Sequence, residues 1–301
     1  MAHVFGGEWT EQKLVALRKY LEAYRKIFTA NAKARYYRTV YIDAFAGTGE
    51  RSDKPHMPPN QSLLDAVVTE EPLSTFLHKG SARIALELSS PFDEYVFVDK
   101  NPAHTAELSA MVERDFPHLV DRCKIYTADG AEVLHEQLAY GKDWSKTRAV
   151  LFLDPYGMSI HWDLIARIAK TKAIDMWLLF PLGQGINRLL SKDHLPMPAH
   201  EAKLTAVLGT DAWKQRFYST HVQTDLFGEE HCQSHKTATF ENMISFLKER
   251  LSTVFAGVAP DVMLLENSKG SPLYALCFAA GNPAGARPAI SIASDLLRTR
   301  L

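Results

Sequence analysis

Five short runs rich in β-branched and aromatic residues, each stopped by an acid, a glycine or a proline and separated by helical patterns, constrain the fold most. They are TVYIDAF (39–45), EYVFVDKNP (94–102), CKIYTADG (123–130), AVLFLDPYG (149–157) and AIDMWLLFPLGQG (173–185). Several of these runs are continuously apolar rather than alternating, as in strands buried on both faces. Between them, HTAELSAMVERDF (104–116) and AEVLHEQLAY (131–140) repeat apolar residues at three and four. Strand and helix in alternation predict a parallel sheet with helices on both sides. The last third differs, because DVMLLENSKGSPLYALCFAA (261–280) is two apolar runs joined by Ser-Lys-Gly, the pattern of an antiparallel hairpin. The expected architecture is α/β: a doubly wound, mostly parallel sheet of seven strands whose last strand is antiparallel. That is a narrower description than a Rossmann-like sheet alone.

The remaining segments are read as additions to one domain spanning 1–301. Leu14, Leu17, Leu21, Tyr24, Ile27 and Phe28 recur at helical spacing, so residues 1–38 form an N-terminal helical extension. RSDKPHMPPNQ (51–61) is polar and proline-rich, and an insertion is expected over 51–80. Residues 191–260 carry helical periods in KLTAVLG, WKQRFY and FENMISFLKERLSTVF and are expected to form a helical lid or subregion.

Lys and Arg total 34 against 35 for Asp and Glu, so no global charge attracts a polyanion. The bias is local: residues 1–40 hold eight Lys and Arg against three acids. A solvated helix face and a phosphate-contacting patch both fit that bias. Three scattered cysteines, Cys123, Cys232 and Cys277, argue against a disulfide framework and for a reducing compartment, the cytoplasm by default. No apolar run approaches the ~18 residues of a membrane span.

Ligands of open parallel sheets gather at the carboxyl ends of the strands, so those ends are the candidate sites. After the first run stand Asp43, Phe45, Gly47 and Gly49, a glycine turn that lets a nucleotide-like ligand approach the backbone. After the second stands Asp99, where a carboxylate can accept from ribose hydroxyls or cap the next helix. After the third stands Asp129, which can meet an adenine amino group or cap in its turn. An amine, a ribose and an adenine together describe S-adenosylmethionine. Neither GxGxxG nor GxxxxGK[ST] occurs, so NAD and ATP fit less well.

After the fourth run stands Asp154-Pro155-Tyr156-Gly157. This turn is similar to the motif of methyltransferases acting on exocyclic amino groups, in which an acid and a proline carbonyl accept from the NH2 and an aromatic ring stacks on the base. Such acceptors draw a delocalised amine toward the tetrahedral geometry of attack. The usual adenine version has two prolines. The single proline here is closer to the form in tRNA guanine-N2 dimethyltransferases and leaves the target base open. Gln184 and Asn187, after the fifth run, either line a substrate pocket or belong to a plain loop. His231, Cys232 and His235 invite a zinc reading, but the spacing lacks a paired CxxC or a recognisable fourth ligand, so no metal is expected. His161 and Trp162 are read as packing residues.

With YIDAFAGTGE, YVFVDKNP, FLDPYG, TKAIDMWLLFP and GSPLYALCFAA in this order, and the opening EWTEQKLVALRKYLEAY, the chain resembles the bacterial three-Cys-motif partner protein family over nearly its whole length. The resemblance implies a class I methyltransferase-like fold and a partner, the three-Cys-motif protein, which looks like a radical S-adenosylmethionine enzyme. Residue by residue it puts Gly47, Gly49 and Asp99 toward the cofactor and Asp154 to Tyr156 toward the acceptor. Two activities are carried forward: methyl transfer to an exocyclic amino group of a nucleic-acid base, RNA before DNA, or a non-catalytic S-adenosylmethionine- or nucleic-acid-binding role beside the radical enzyme. A nicotinamide-dependent oxidoreductase fits less well, given the terminal hairpin and the missing fingerprint.

Overall fold

The computed structural model describes residues 8–49, 80–224 and 230–298. The insertion expected over 51–80 therefore falls, save Gly80, outside the described residues.

Five strands run parallel: β1 (Arg38–Asp43), β2 (Glu94–Asp99), β3 (Cys123–Thr127), β4 (Thr147–Leu153) and β5 (Ile174–Pro181), in the order β3-β2-β1-β4-β5. Two further strands, β6 (Tyr218–Thr224) and β7 (Glu230–Lys236), pair with each other as an antiparallel ribbon, apart from the main sheet among the described residues. The chain then returns through β8 (Gly257–Val258), β9 (Met263–Glu266) and β10 (Pro272–Ala280). β10 lies antiparallel to β5, with Leu276 opposite Leu179 and Phe278 opposite Trp177. β8 and β9 pair successive stretches of the same outer edge of β10, at Ala279–Ala280 and at Pro272–Leu276. They fill one strand position in two pieces, so the eight strands of the main sheet occupy seven places. The chain has a class I methyltransferase fold.

Strand periodicity sorts the sheet into two apolar faces. Val40, Ile42, Val96, Val98, Leu151, Leu153, Met176 and Leu178 face one way. They pack under α4 (Gly130–Glu136), α5 (Trp162–Lys170), α6 (Pro198–Leu208), α7 (Trp213–Phe217) and α8 (Phe240–Ser252). Tyr41, Tyr95, Phe97, Phe152, Trp177 and Phe278 face the other way. Those pack under α1 (Glu8–Ala30), α2 (Ser81–Leu86), α3 (Pro102–Asp115) and α9 (Ala286–Arg298). The N-terminal extension is thus a layer of the core: Leu14, Leu17, Tyr20 and Leu21 are buried, and the Tyr20 ring sits 4.9 Å from Phe278 and 5.3 Å from Trp177.

Residues 191–260 are not wholly helical. The ribbon β6–β7 interrupts α6, α7 and α8. Its residues, YSTHVQT and EHCQSHK, are mostly polar and offer no apolar alternation to read.

Candidate active site

β1 opens into Asp43-Ala-Phe-Ala-Gly47-Thr-Gly49, a turn that needs the left-handed conformation twice, at Gly47 (φ +59°) and Gly49 (φ +74°). Among the described residues, a side chain on Gly47 would meet nothing within 4 Å. The loop is stitched to both neighbours: Ala46 N–H donates to Val98 O at 2.9 Å and Ala44 N–H to Phe152 O at 3.4 Å.

Asp43 is fully buried at the end of β1. Phe45 N–H donates to its Oδ1 at 3.2 Å and the Tyr41 hydroxyl to its Oδ2 at 3.4 Å. Burial pushes this carboxyl up to about 7; hydrogen bonds from Ser81 and Phe45 oppose the rise, and the charge of Asp154 adds to it.

Asp99 joins the loops after β1 and β2. Gly47 N–H donates to its Oδ2 at 3.1 Å, Asn101 N–H to its Oδ1 at 2.8 Å, and His104 Nδ1 lies 3.1 Å from the same Oδ1. Oδ2 keeps one lone pair beyond the Gly47 bond. Capping of α3 falls instead to Asn101, whose side chain accepts from Ala103 N–H. Asp129 does cap its helix, α4: Oδ1 accepts from Ala131 and Glu132 N–H at 2.8 and 3.2 Å, and Oδ2 pairs with Lys100.

The turn after β4 places Asp154 beside these groups. Its Oδ2 is held in an ion pair by Lys13 of α1, a lysine whose side chain is only 5% exposed, while Asp154 itself is 28% exposed. Among the described residues no donor reaches Asp154 Oδ1. Tyr156 stands out from the surface, 68% exposed, with its ring edge-on to Phe45 at 6.4 Å. That ring pair brings the β1 loop and the β4 turn into one concave edge. Beneath the turn a narrow apolar hollow, lined by Pro155, Met158, Ile160 and Phe180, is a packing gap without polar partners.

Gln184 and Asn187 are engaged elsewhere. Gln184 Oε1 accepts from the Tyr274 hydroxyl at 3.1 Å, and Asn187 accepts from Lys236 Nζ at 2.6 Å, so the turn after β5 is tied to β10 and β7. Trp162 is buried under the Arg250 guanidinium, 4.4 Å from its ring. His231, Cys232 and His235 fall on β7 opposite Gln223, Val222 and Ser219. Among the described residues no group of three or more His, Cys, Asp and Glu is placed to hold a metal ion. Nor is any described helix long and apolar enough to cross a membrane.

The arrangement suits a ligand with a cationic part. Asp43, Asp99 and Asp154 converge near Lys13, and among the described residues Gly47 leaves room at the backbone. Lys13, His104 and Ser81 are the members of the site that strand-end reasoning does not find. Lys13 nevertheless left a trace in the sequence: with Leu17, Tyr20 and Tyr24 it shares the buried stripe of α1, and a cation there requires a buried anion.

No family model matches the sequence, and no curated protein does. Solved structures resemble it in fold. A Legionella pneumophila protein assigned to the DUF519 family is 15% identical, covers 80% of this chain and 91% of its own, and superposes with a TM-score of 0.38. A Listeria monocytogenes protein assigned as an S-adenosylmethionine dependent methyltransferase is 9% identical over 81% of this chain and 91% of its own, at 0.35. The glycopeptide N-methyltransferase MtfA, complexed with S-adenosyl-L-homocysteine, is 10% identical over 86% and 89%, at 0.30. At these TM-scores the likeness carries no argument about the site.

Proposed function

We propose that the chain is an S-adenosylmethionine-dependent methyltransferase whose acceptor is an exocyclic amino group of a nucleic-acid base, in RNA rather than DNA. The observation that carries the reading is the union of the glycine loop with the Asp-Pro-Tyr turn, through the Phe45–Tyr156 ring pair and the Gly47–Asp99 hydrogen bond. When bound, S-adenosylmethionine supplies an electrophilic methyl group on its sulfonium. Phe45, Gly47, Gly49 and Asp99 would hold it, with the remaining lone pair of Asp99 Oδ2 toward a ribose hydroxyl. Asp43 lies beneath, and Asp129 Oδ2 retains a lone pair for an amino group on the adenine side.

The acceptor side needs orientation more than a strong base. Asp154 Oδ1 and the Pro155 carbonyl are two acceptors for an NH2 group, and Tyr156 offers an exposed face for an unpaired base. Lys13 pins Oδ2 and neutralises the carboxylate, so a neutral amine meets an oriented acceptor rather than a bare charge. The family resemblance adds a partner, a three-Cys-motif protein of the radical S-adenosylmethionine type, tested by co-purification of the two.

Calorimetric titration with S-adenosylmethionine tests the cofactor half. Micromolar binding lost in Asp99→Ala supports it, and no binding to the folded protein refutes it. Transfer of labelled methyl to bulk RNA or DNA tests the acceptor half. Asp154→Ala should cut transfer roughly 10²–10³-fold while cofactor affinity stays within about threefold; equal loss of both would remove Asp154 from the acceptor role.

A further inference from the structure

The edge of the sheet opposite the candidate active site, where the parallel strands begin, carries charge that methyl transfer does not use. Residues 25–38 and the strand starts at 93–94, 121–124 and 142–148 hold ten Lys and Arg against four Asp and Glu, in a chain of formal charge -1. Glu94 illustrates the imbalance: this one buried carboxylate lies under Arg38 at 3.0 Å, Lys124 at 3.3 Å and Lys142. Lys26, Lys33 and Arg35 are exposed and make no ion pair among the described residues.

A cavity of about 230 Å³ opens in the middle of this surface, between Arg25, Phe28, Arg35, Tyr37 and Asp93. The guanidinium of Arg148 is stacked 3.8 Å from the centre of the Tyr37 ring, which fixes that wall. Beside it stands Tyr36, 70% exposed. Cations around an aromatic-walled hollow, with the exposed Tyr36 ring edge-on to Tyr37 of its wall, combine the two elements of single-strand recognition: backbone charge and base stacking.

We infer that this amino edge is a second binding site, for single-stranded RNA, whose phosphates lie along the basic strand starts while one unpaired base enters the cavity beside Tyr37. The cations span the starts of β3, β2, β1 and β4, three strand spacings or roughly 14 Å, more than one phosphate can use. That favours a polynucleotide over a mononucleotide. α1 links the two edges, since Lys13 touches Asp154 at one and Arg25 bonds Ser90 at the other, and it exposes Lys19 and Lys26 on one face with Glu22, paired to Arg18, between them. RNA anchored at Tyr36 would have to span a strand length, or about 20 Å, to reach Tyr156. The inference deepens the RNA reading above but does not need methyl transfer to be correct.

Fluorescence anisotropy of a labelled 20-nucleotide oligouridylate, titrated with the whole chain without S-adenosylmethionine, tests it. Uridine has no exocyclic amino group, so a failed acceptor hypothesis leaves this assay untouched. Binding at 50 mM salt is expected, with log K falling by about 3 per decade of salt for some four phosphate contacts. Lys26→Glu/Lys33→Glu/Arg35→Glu, all exposed positions, should weaken it at least thirtyfold and flatten the salt slope. Tyr36→Ala should weaken it about fivefold to tenfold at an unchanged slope. The glutamine triple variant guards against misfolding and should show an intermediate loss. No binding by the wild type, full binding by the triple variant, or equal competition by uridine monophosphate and oligouridylate at matched phosphate would each overturn the proposal.

Discussion

Replacing Lys13 by methionine should destabilise the protein, and replacing Asp154 as well should restore part of the loss. At hydrogen-bond contact of about 3 Å and an effective dielectric near 20, the pair attracts by roughly 5 kcal/mol. Burying the ammonium, 5% exposed, cancels much of that, while the carboxylate, 28% exposed, keeps part of its hydration. A net coupling of about 1–2 kcal/mol remains. Lys13→Met leaves Asp154 unpaired in the crowded carboxylate cluster and should cost about 2 kcal/mol. Asp154→Asn leaves the buried ammonium with a weaker acceptor and should cost about as much. In the double variant neither charge is present, so the sum of the single losses should exceed the double loss by the coupling. Urea unfolding of all four proteins at pH 7.5 measures it. Losses that add to within about 0.4 kcal/mol would mean that the pair does not clamp α1 to the β4 turn.

Asp43 supplies a pH signature. Its carboxyl is raised from the ordinary range to about 7, so the folded state binds the extra proton, and this group's contribution falls as pH climbs from about 4 to about 7. Asp43→Asn should therefore gain stability relative to wild type by a few kcal/mol across that window in urea titrations. A difference that does not change with pH would refute the buried-acid reading. Gly130→Ala should cost about 1–3 kcal/mol in thermal unfolding, because the added carbon would lie 2.3 Å from the Ala44 carbonyl oxygen; an unchanged Tm would show that α4 and the β1 loop give way freely. Burial raises the thiols of Cys123 and Cys277 to about 11 and about 12. In a Cys232→Ser background the buried Cys277 should not react with a thiol reagent at pH 8 until the protein unfolds, whereas the half-buried Cys123 should react slowly; fast labelling of Cys277 in the native state would contradict its burial.

The central strands were legible because they are buried on both faces, so EYVFVD and AVLFL read as strands without help from their neighbours. The hairpin β9–β10 was legible from its Ser-Lys-Gly turn. The division of β8 from β9 was not, since a two-residue strand leaves no period. The polar ribbon β6–β7 was missed because its pairing depends on backbone hydrogen bonds rather than on an apolar face. At the site, sequence pointed to the strand ends but could not assign their bonds. Asn101, two residues beyond Asp99, took the helix cap, while Asp129 kept its own. The pairing of Lys13 with Asp154 spans 141 positions, and no local rule reaches so far.

The packing of α1 against α9 has a consequence in time. α1, with Leu14, Leu17, Tyr20 and Leu21 on one face, is synthesised well before residues 286–298, yet the layer that covers it includes them. At ordinary rates of synthesis that interval lasts on the order of tens of seconds. α1 is thus fully covered only long after it is made. A chain lacking α9 would leave the apolar face of α1 partly uncovered and Lys13 less firmly seated beside Asp154, so α9 governs the order of the acceptor turn.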